Sequence, residues 1–384
     1  MAFSIEREAQ HLEIVRDQAC SLLKREAEYV TTGGTSPCEP PTKHAQWRTR
    51  IFEWFYVIID YFEYDRHVVY ISMDYLDRFL LLHPDAEDMK CRIYQLVAMT
   101  SLYVAMKIHG GDPNSRAKVN ASRKLKRLNL KTFVELSRGQ FVEKDILSME
   151  LCLLSTLKWL VNPVTPACFL LQFLRMFPRY SSVTPSHAAL TASHHPGLQV
   201  VMQVLHELSF YLTELAICVP GVSSHFQFDQ ERPRNFSPSS IAFASMLLAM
   251  DMISYSALPE ITRKQFLDSC AYLTLHTDSY QDSYQTSCPG NIGIHLCPHQ
   301  GQIQYLKHLI QKSFIPDYIT NQDLPHEQIE RHVEELPPIA MVMQPGLLNQ
   351  TFLERLLLSI TTGSADIKHQ NRQPASPTSP LDGP

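Results

Sequence analysis

The chain lacks any uncharged apolar run of 18 residues, so no membrane span is expected from its sequence. Strand-like alternation is absent as well, which argues against a β fold. It contains no Gly-rich phosphate loop, no nucleophile–base arrangement and no acid pair in a plausible cleft. Its 17 histidines stand singly apart from "SHHPG", so an enzyme is not expected. An excess of cations is also missing: the net charge is −5, giving no global case for nucleic-acid binding or an anionic membrane. The start, "MAFSIEREAQ", is polar and acidic early, unlike a signal or transit peptide. The nine cysteines are odd in number and lie mostly inside apolar segments such as "MELCLLSTL" and "LAICV". They read as small buried hydrophobes of a reducing compartment, not as a disulfide framework. Only "SCPGNIGIHLCPHQ" gathers Cys288, His295, Cys297 and His299, and its Cys-x6-His-x-Cys-x-His spacing matches no common zinc motif. A soluble intracellular protein without metal or cofactor is the expectation.

What is present is helix. With 384 residues and 45% apolar composition the chain can bury a sizeable core, read as two domains plus tails. Residues 4–30 are helical with a mixed charged face, and "TTGGTSPCEPPTK" breaks the pattern as a linker. Helical patterns then run over 45–62, 65–82, 90–108, 130–138 and 142–159. "NPVTP" (162–166) is a hinge, and further helices are expected near 165–177, 198–218, 238–254, 259–274 and 301–313. "YQLVAMTSLYVAMK" (94–107) and "SSIAFASMLLAMDM" (239–252) both interleave small with large apolar residues, which suggests two copies of one helical unit. Beyond about residue 315 the order thins, and "QNRQPASPTSPLDGP" is disordered on composition. The predicted organisation is 1–43 (helix and linker), 44–161, 162–315 and 316–384 (tail).

Several charges fall on apolar stripes. In "MDYLDRFLLL", Asp77 sits among Val69, Met73, Leu76 and Leu80, where an acid is costly without a buried partner. Arg48 lies on the stripe of Ile51, Phe52, Phe55, Ile59 and Phe62, and is the natural partner. Asp74 and Arg78, at i,i+4, are expected as a self-contained surface pair. Lys107 extends the stripe of Ile93, Val97, Thr100 and Val104, while Glu150 lies in the arc of Ile146, Leu153 and Leu157. Periodicity alone leaves two readings of them open: an internal salt bridge, or a surface awaiting another protein's helix. Trp47, Ile51, Trp54 and Ile58 form a second apolar face, read as core or as an exposed groove.

"WRTRIFEWFYVIIDYFEY", "YISMDYLDRFLLL", "QLVAMTSLYVAMK" and "FVEKDILSMELCLLSTLKWLVNPVTPACFLLQF" together resemble a cyclin box of the A/D-type kind, over roughly residues 44–175. The resemblance implies an all-α protein of two tandem five-helix cyclin folds, the second divergent. It implies that Arg48 and Asp77 are the family's buried pair, Leu96 and Ala105 its core signature, and Lys107 and Glu150 its kinase-contacting residues. The implied function is a non-catalytic regulatory subunit that binds and activates a cyclin-dependent Ser/Thr kinase, in cell-cycle control, in nucleus and cytoplasm.

Departures from the family pattern qualify this. Trp47, Ile51, Trp54 and Gln95 match a substrate-docking patch, but Arg50 replaces a branched apolar residue and Val57 an acid. Both changes weaken docking of a basic Arg-x-Leu motif. After Lys107 a longer segment carries seven Lys or Arg between Arg116 and Lys131 and no acid. That stretch supplies the alternative function, a cyclin-fold transcription factor binding DNA. No Leu-x-Cys-x-Glu motif is present, and "RFLL" (78–81) and "RLLL" (355–358) fit only a loose destruction pattern. Ser36, Ser376 and Ser379, each followed by proline, are candidate phosphorylation sites.

Overall fold

The computed structural model describes residues 2–32, 42–83, 89–110, 129–178, 198–218, 228–229, 232–233, 236–281, 300–314, 325–334, 347, 349–352 and 354. Cys288, His295, Cys297, His299, Ser36, Ser376, Ser379 and residues 116–128 lie outside the described residues. The protein is all-α, apart from a two-residue antiparallel ladder, β1 (Phe228–Asp229) with β2 (Arg232–Pro233).

The first helical group comprises α2 (Thr42–Tyr61), α3 (His67–Leu82), α4 (Cys91–His109), α5 (Leu130–Leu136) and α6 (Glu143–Thr156). Helix α4 packs against the other four, and Leu96, Val97, Ala98, Leu102 and Ala105 are buried along it. Its small residues permit that crowding. At its end a Cβ on Gly110 would stand 2.6 Å from the Tyr64 ring, so only glycine fits there.

The second group comprises α7 (Pro166–Arg175), α8 (Leu198–Cys218), α9 (Pro238–Met252), α10 (Glu260–Gln281) and α11 (Gln300–Ser313). Helix α9 is apolar on every side and packs against α7, α8 and α11, the setting such a helix requires. The sequence echo between 94–107 and 239–252 thus corresponds to two central helices. Helices α7 and α9 begin by the same local device: Thr165 or Ser237 accepts a backbone N–H three residues on, and proline follows at the first helical position. Helix α8 includes Gln199–Cys218, long and apolar enough by length and composition to cross a membrane. Half of it is buried, and Leu205, Leu208 and Leu212 pack into the second core.

Two segments differ from expectation. Helix α1 (Ala2–Thr32) is not a separate appendage: Val15, Ala19 and Leu23 are buried in the second core. Beyond residue 315 the chain adds α12 (His326–Glu334), and Leu347 and Phe352 return to that core. Ser254 N–H donates to Leu347 O at 2.5 Å and Asn349 N–H to Met252 O at 3.0 Å, which attaches this returning segment to the end of α9.

Helix α1 also ties the two groups together. The Glu26 carboxylate accepts from Ser239 N–H at 2.8 Å and Ser239 Oγ at 2.7 Å at the start of α9. Burial pushes the Glu26 carboxyl from its ordinary 4.5 up to about 7, although both Ser239 hydrogen bonds oppose the shift. Between those values the folded chain holds a proton that the unfolded chain has released, so stability falls as pH rises through the window. Glu26→Gln is expected to remove roughly 2–3 kcal/mol of that fall, measured by urea midpoints at about pH 5 and 7. Glu214, raised to about 7 chiefly by burial, leaves its own share of the slope in the variant.

Candidate partner-binding site

Arg48 and Asp77 meet inside the first core. Arg48 Nε donates to Asp77 Oδ1 at 3.1 Å and Nη2 donates to Oδ2 at 3.0 Å, a two-point contact between side chains that are 11% and 4% exposed. Nη1 reaches Ile217 O at 3.3 Å, the carbonyl end of α8, so the same guanidinium also engages the second helical group. Burial works to lower its pKa, but the charge and hydrogen bonds of Asp77 outweigh this and raise it. The pair positions α2 against α3. It is enclosed and does no surface chemistry.

Asp74 and Arg78 are not the surface pair expected. Both are buried, with Arg78 Nη1 3.4 Å from Asp74 Oδ2. Tyr29 of α1 donates to Asp74 Oδ2 at 2.8 Å, contacts Arg78 Nη1, and lies under the guanidinium at 4.6 Å. Arg78 also donates to Leu160 O at 2.8 Å. The next carbonyl, Val161 O, takes bonds from Tyr75 and, at 2.7 Å, His109 Nε2. Side chains of α3 and α4 therefore pin the connection into the second group. Here Lys158 and Trp159 take φ of 52° and 62°, a conformation non-glycine residues seldom adopt.

Lys107 and Glu150 come together at the far end of α4. Lys107 Nζ donates to Glu150 Oε1 at 2.8 Å, and that hydrogen bond is the main cause raising the ammonium pKa. The two are unequally exposed: the Lys107 side chain is 55% accessible and that of Glu150 13%. On α6, Ile146 and Leu153 face the core while Leu147 and Leu151 face outward, and Glu150 stands at the border. Ile108 is exposed beside Lys107. An ion pair flanked by three exposed branched apolar side chains is a surface suited to a partner.

Trp47, Ile51, Trp54 and Gln95 line a common groove, with Trp47 5.3 Å from the buried Tyr94 ring. Leu96 and Ala105 are buried.

A model of the cyclin N-terminal domain matches residues 17–162. Among curated proteins, a G1/S-specific cyclin-E1 of Danio rerio is 26% identical over 136 residues, 35% of this chain and 29% of that protein. Cyclin-D4-1 of Oryza sativa subsp. japonica is 34% identical over 131 residues, 33% of this chain and 32% of that one.

Residues 17–162 carry a cyclin N-terminal domain, the cyclin box.

The match starts at residue 17, within α1, and runs to the pinned connection. That extent takes in Tyr29 together with Asp74 and Arg78. The match spans about three-tenths of the length of these two relatives. The chain is also similar to one in the structure of the CAK complex from Chaetomium thermophilum bound to ATP-gamma-S, at 13% identity and TM-score 0.41 over 98% of this chain and 93% of that one.

Sequence reasoning missed Glu26, Tyr29 and Arg263. Arg263 is buried and donates to Leu258 O at 2.8 Å and Ile253 O at 2.6 Å, and burial lowers its pKa. All three bond groups remote in sequence or in backbone turns, which no side-chain period announces.

Proposed function

We propose that this cyclin is a non-catalytic subunit that binds and activates a cyclin-dependent Ser/Thr protein kinase, in cell-cycle control and in nucleus and cytoplasm. The observation that carries the reading is the accessible Lys107–Glu150 pair set among exposed Ile108, Leu147 and Leu151. An ammonium has three donors and Lys107 spends one on Glu150, leaving two for carbonyls of a partner helix. The second oxygen of Glu150 is available to accept an N–H. Such contacts engage backbone and so position a helix irrespective of its side chains. Binding energy that favours the inward position of a kinase's regulatory helix shifts that kinase toward its active conformation. In this reading the helices around α9 are a second, divergent cyclin fold that buttresses the box.

The test uses the purified full chain, a panel of cyclin-dependent kinases and a histone kinase assay. Lys107→Ala with Glu150→Ala is expected to weaken recruitment about ten- to hundredfold, with helicity by circular dichroism unchanged. Undiminished recruitment overturns the reading, and retention on DNA with a steep salt dependence would favour the transcription-factor alternative.

A further inference from the structure

A cleft of about 650 Å³ lies where the two helical groups meet, bounded by α2, the start of α3, α7 and α8. Its walls are largely aromatic and apolar: Tyr56, Tyr70, Phe210 and Tyr211 line it together with Pro166 and Leu171. Burial raises the pKa of all three tyrosines, and none of their hydroxyls bonds a described residue. The charges lean toward acid. Asp65, Glu207 and Glu214 line the cleft against a single guanidinium, Arg66. Arg66 Nη1 lies 3.0 Å from Glu214 Oε2 and Nε lies 3.3 Å from Asp60 Oδ1, so two carboxylates share it. The imidazoles of His67 and His206 stand beside Asp65 and Glu207, at 2.8 and 3.5 Å. Glu214 is the most enclosed of the three acids, its side chain 21% exposed, and no described residue bonds its second oxygen. Asp60 and Glu207 add to the negative field around it.

We infer that this cleft binds an organic cation, an ammonium head on a compact apolar body, with the head at Glu214 and the body among the aromatic rings. The volume falls inside the range of ligand-sized pockets, about 300–1,000 Å³. Aromatic faces attract a cation, while the phenol oxygens and the second Glu214 oxygen supply acceptors for its N–H groups. An anion is disfavoured, because the one guanidinium is already divided between two carboxylates. A neutral apolar ligand would strip water from Glu214 and return no charge to it. The same head is offered by a free amine and by a lysine side chain of another protein, two sources that competition separates. No lining residue belongs to α4 or α6, which carry Lys107 and Glu150, so the site is independent of kinase recruitment.

Three soluble probes of similar size separate charge from shape: 2-phenylethylamine is cationic, 2-phenylethanol neutral and phenylacetate anionic. Each is titrated against the full chain by ligand-observed NMR at pH 8. That lies above the value of about 7 to which burial raises Glu214, so its carboxylate is charged. The amine is expected to bind about tenfold more tightly than the alcohol, and phenylacetate more weakly still. Glu214→Gln should bring the amine level with the alcohol, and Phe210→Leu should weaken both; urea midpoints check that each variant folds. A peptide carrying one lysine between apolar residues then competes with the amine. Displacement assigns the cleft to a partner's side chain, and failure to displace assigns it to a free amine. The Lys107→Ala, Glu150→Ala chain should bind the amine unchanged, which separates failure here from failure of kinase recruitment. Equal or tighter binding of the alcohol or phenylacetate, no binding of any probe, or an amine preference that survives Glu214→Gln overturns the proposal.

Discussion

Asp77→Ala is expected to lower folding stability by about 3–5 kcal/mol, read as a fall in the urea midpoint at unchanged slope. Asp77 is 3% exposed and meets Arg48 through both carboxylate oxygens, so the substitution leaves an enclosed guanidinium without its counter-charge. Arg48→Ala should cost at least as much, because it abandons a buried carboxylate and the Ile217 carbonyl together. Arg48→Lys should rescue little, since one ammonium cannot make the two-point contact and reach α8 at once. Arg48→Met with Asp77→Leu should be far milder than either alanine variant, because it removes both charges and keeps the volume. Domains of this kind hold only about 5–15 kcal/mol in total, so either single change consumes much of the margin. A loss below about 1 kcal/mol for Asp77→Ala would show that the pair is relaxed in solution and does not fix α2 against α3.

How far the sequence exposed this arrangement depended on whether a residue's partner shared its periodicity. Arg48 and Asp77 each interrupt an apolar stripe, so two local patterns pointed to one contact between helices. Lys107 and Glu150 did so as well, but a wheel cannot tell 55% from 13% exposure, which is what distinguishes a presented lysine from an interior one. The groove residues Trp47, Ile51 and Trp54 share one face of α2, but Gln95 comes from α4 and Arg138 from the turn after α5. Asp74 and Arg78 satisfied the i,i+4 rule by themselves and so looked complete. What buries them is Tyr29, from a helix whose apolar face belongs to the other core, and the carbonyl of Leu160 in a connection. Neither partner leaves a trace in the local pattern. The same holds for Leu347 and Phe352, whose return depends on backbone bonds to Met252 and Ser254 rather than on a repeating pattern.

Arg78→Met is the second large effect, expected at about 3–5 kcal/mol because the buried Asp74 then loses its counter-charge and Leu160 O loses a donor. The Nε–H of Arg78 is buried with no hydrogen-bond partner among the described residues, which places the loss toward the lower end. Tyr29→Phe should cost about 1–2 kcal/mol, since it removes the hydroxyl donated to Asp74 but leaves the ring beneath the guanidinium. The informative quantity is the double variant. If Tyr29, Asp74 and Arg78 act as one network, the two losses should fall short of additivity by about 1 kcal/mol or more. Because Tyr29 lies on α1, the same variants should open the α1 end of the chain to limited proteolysis before global unfolding. Strict additivity with unchanged proteolysis would mean that α1 is held by Val15, Ala19 and Leu23 in the second core alone, and that the cyclin box folds indifferent to the helix crossing it.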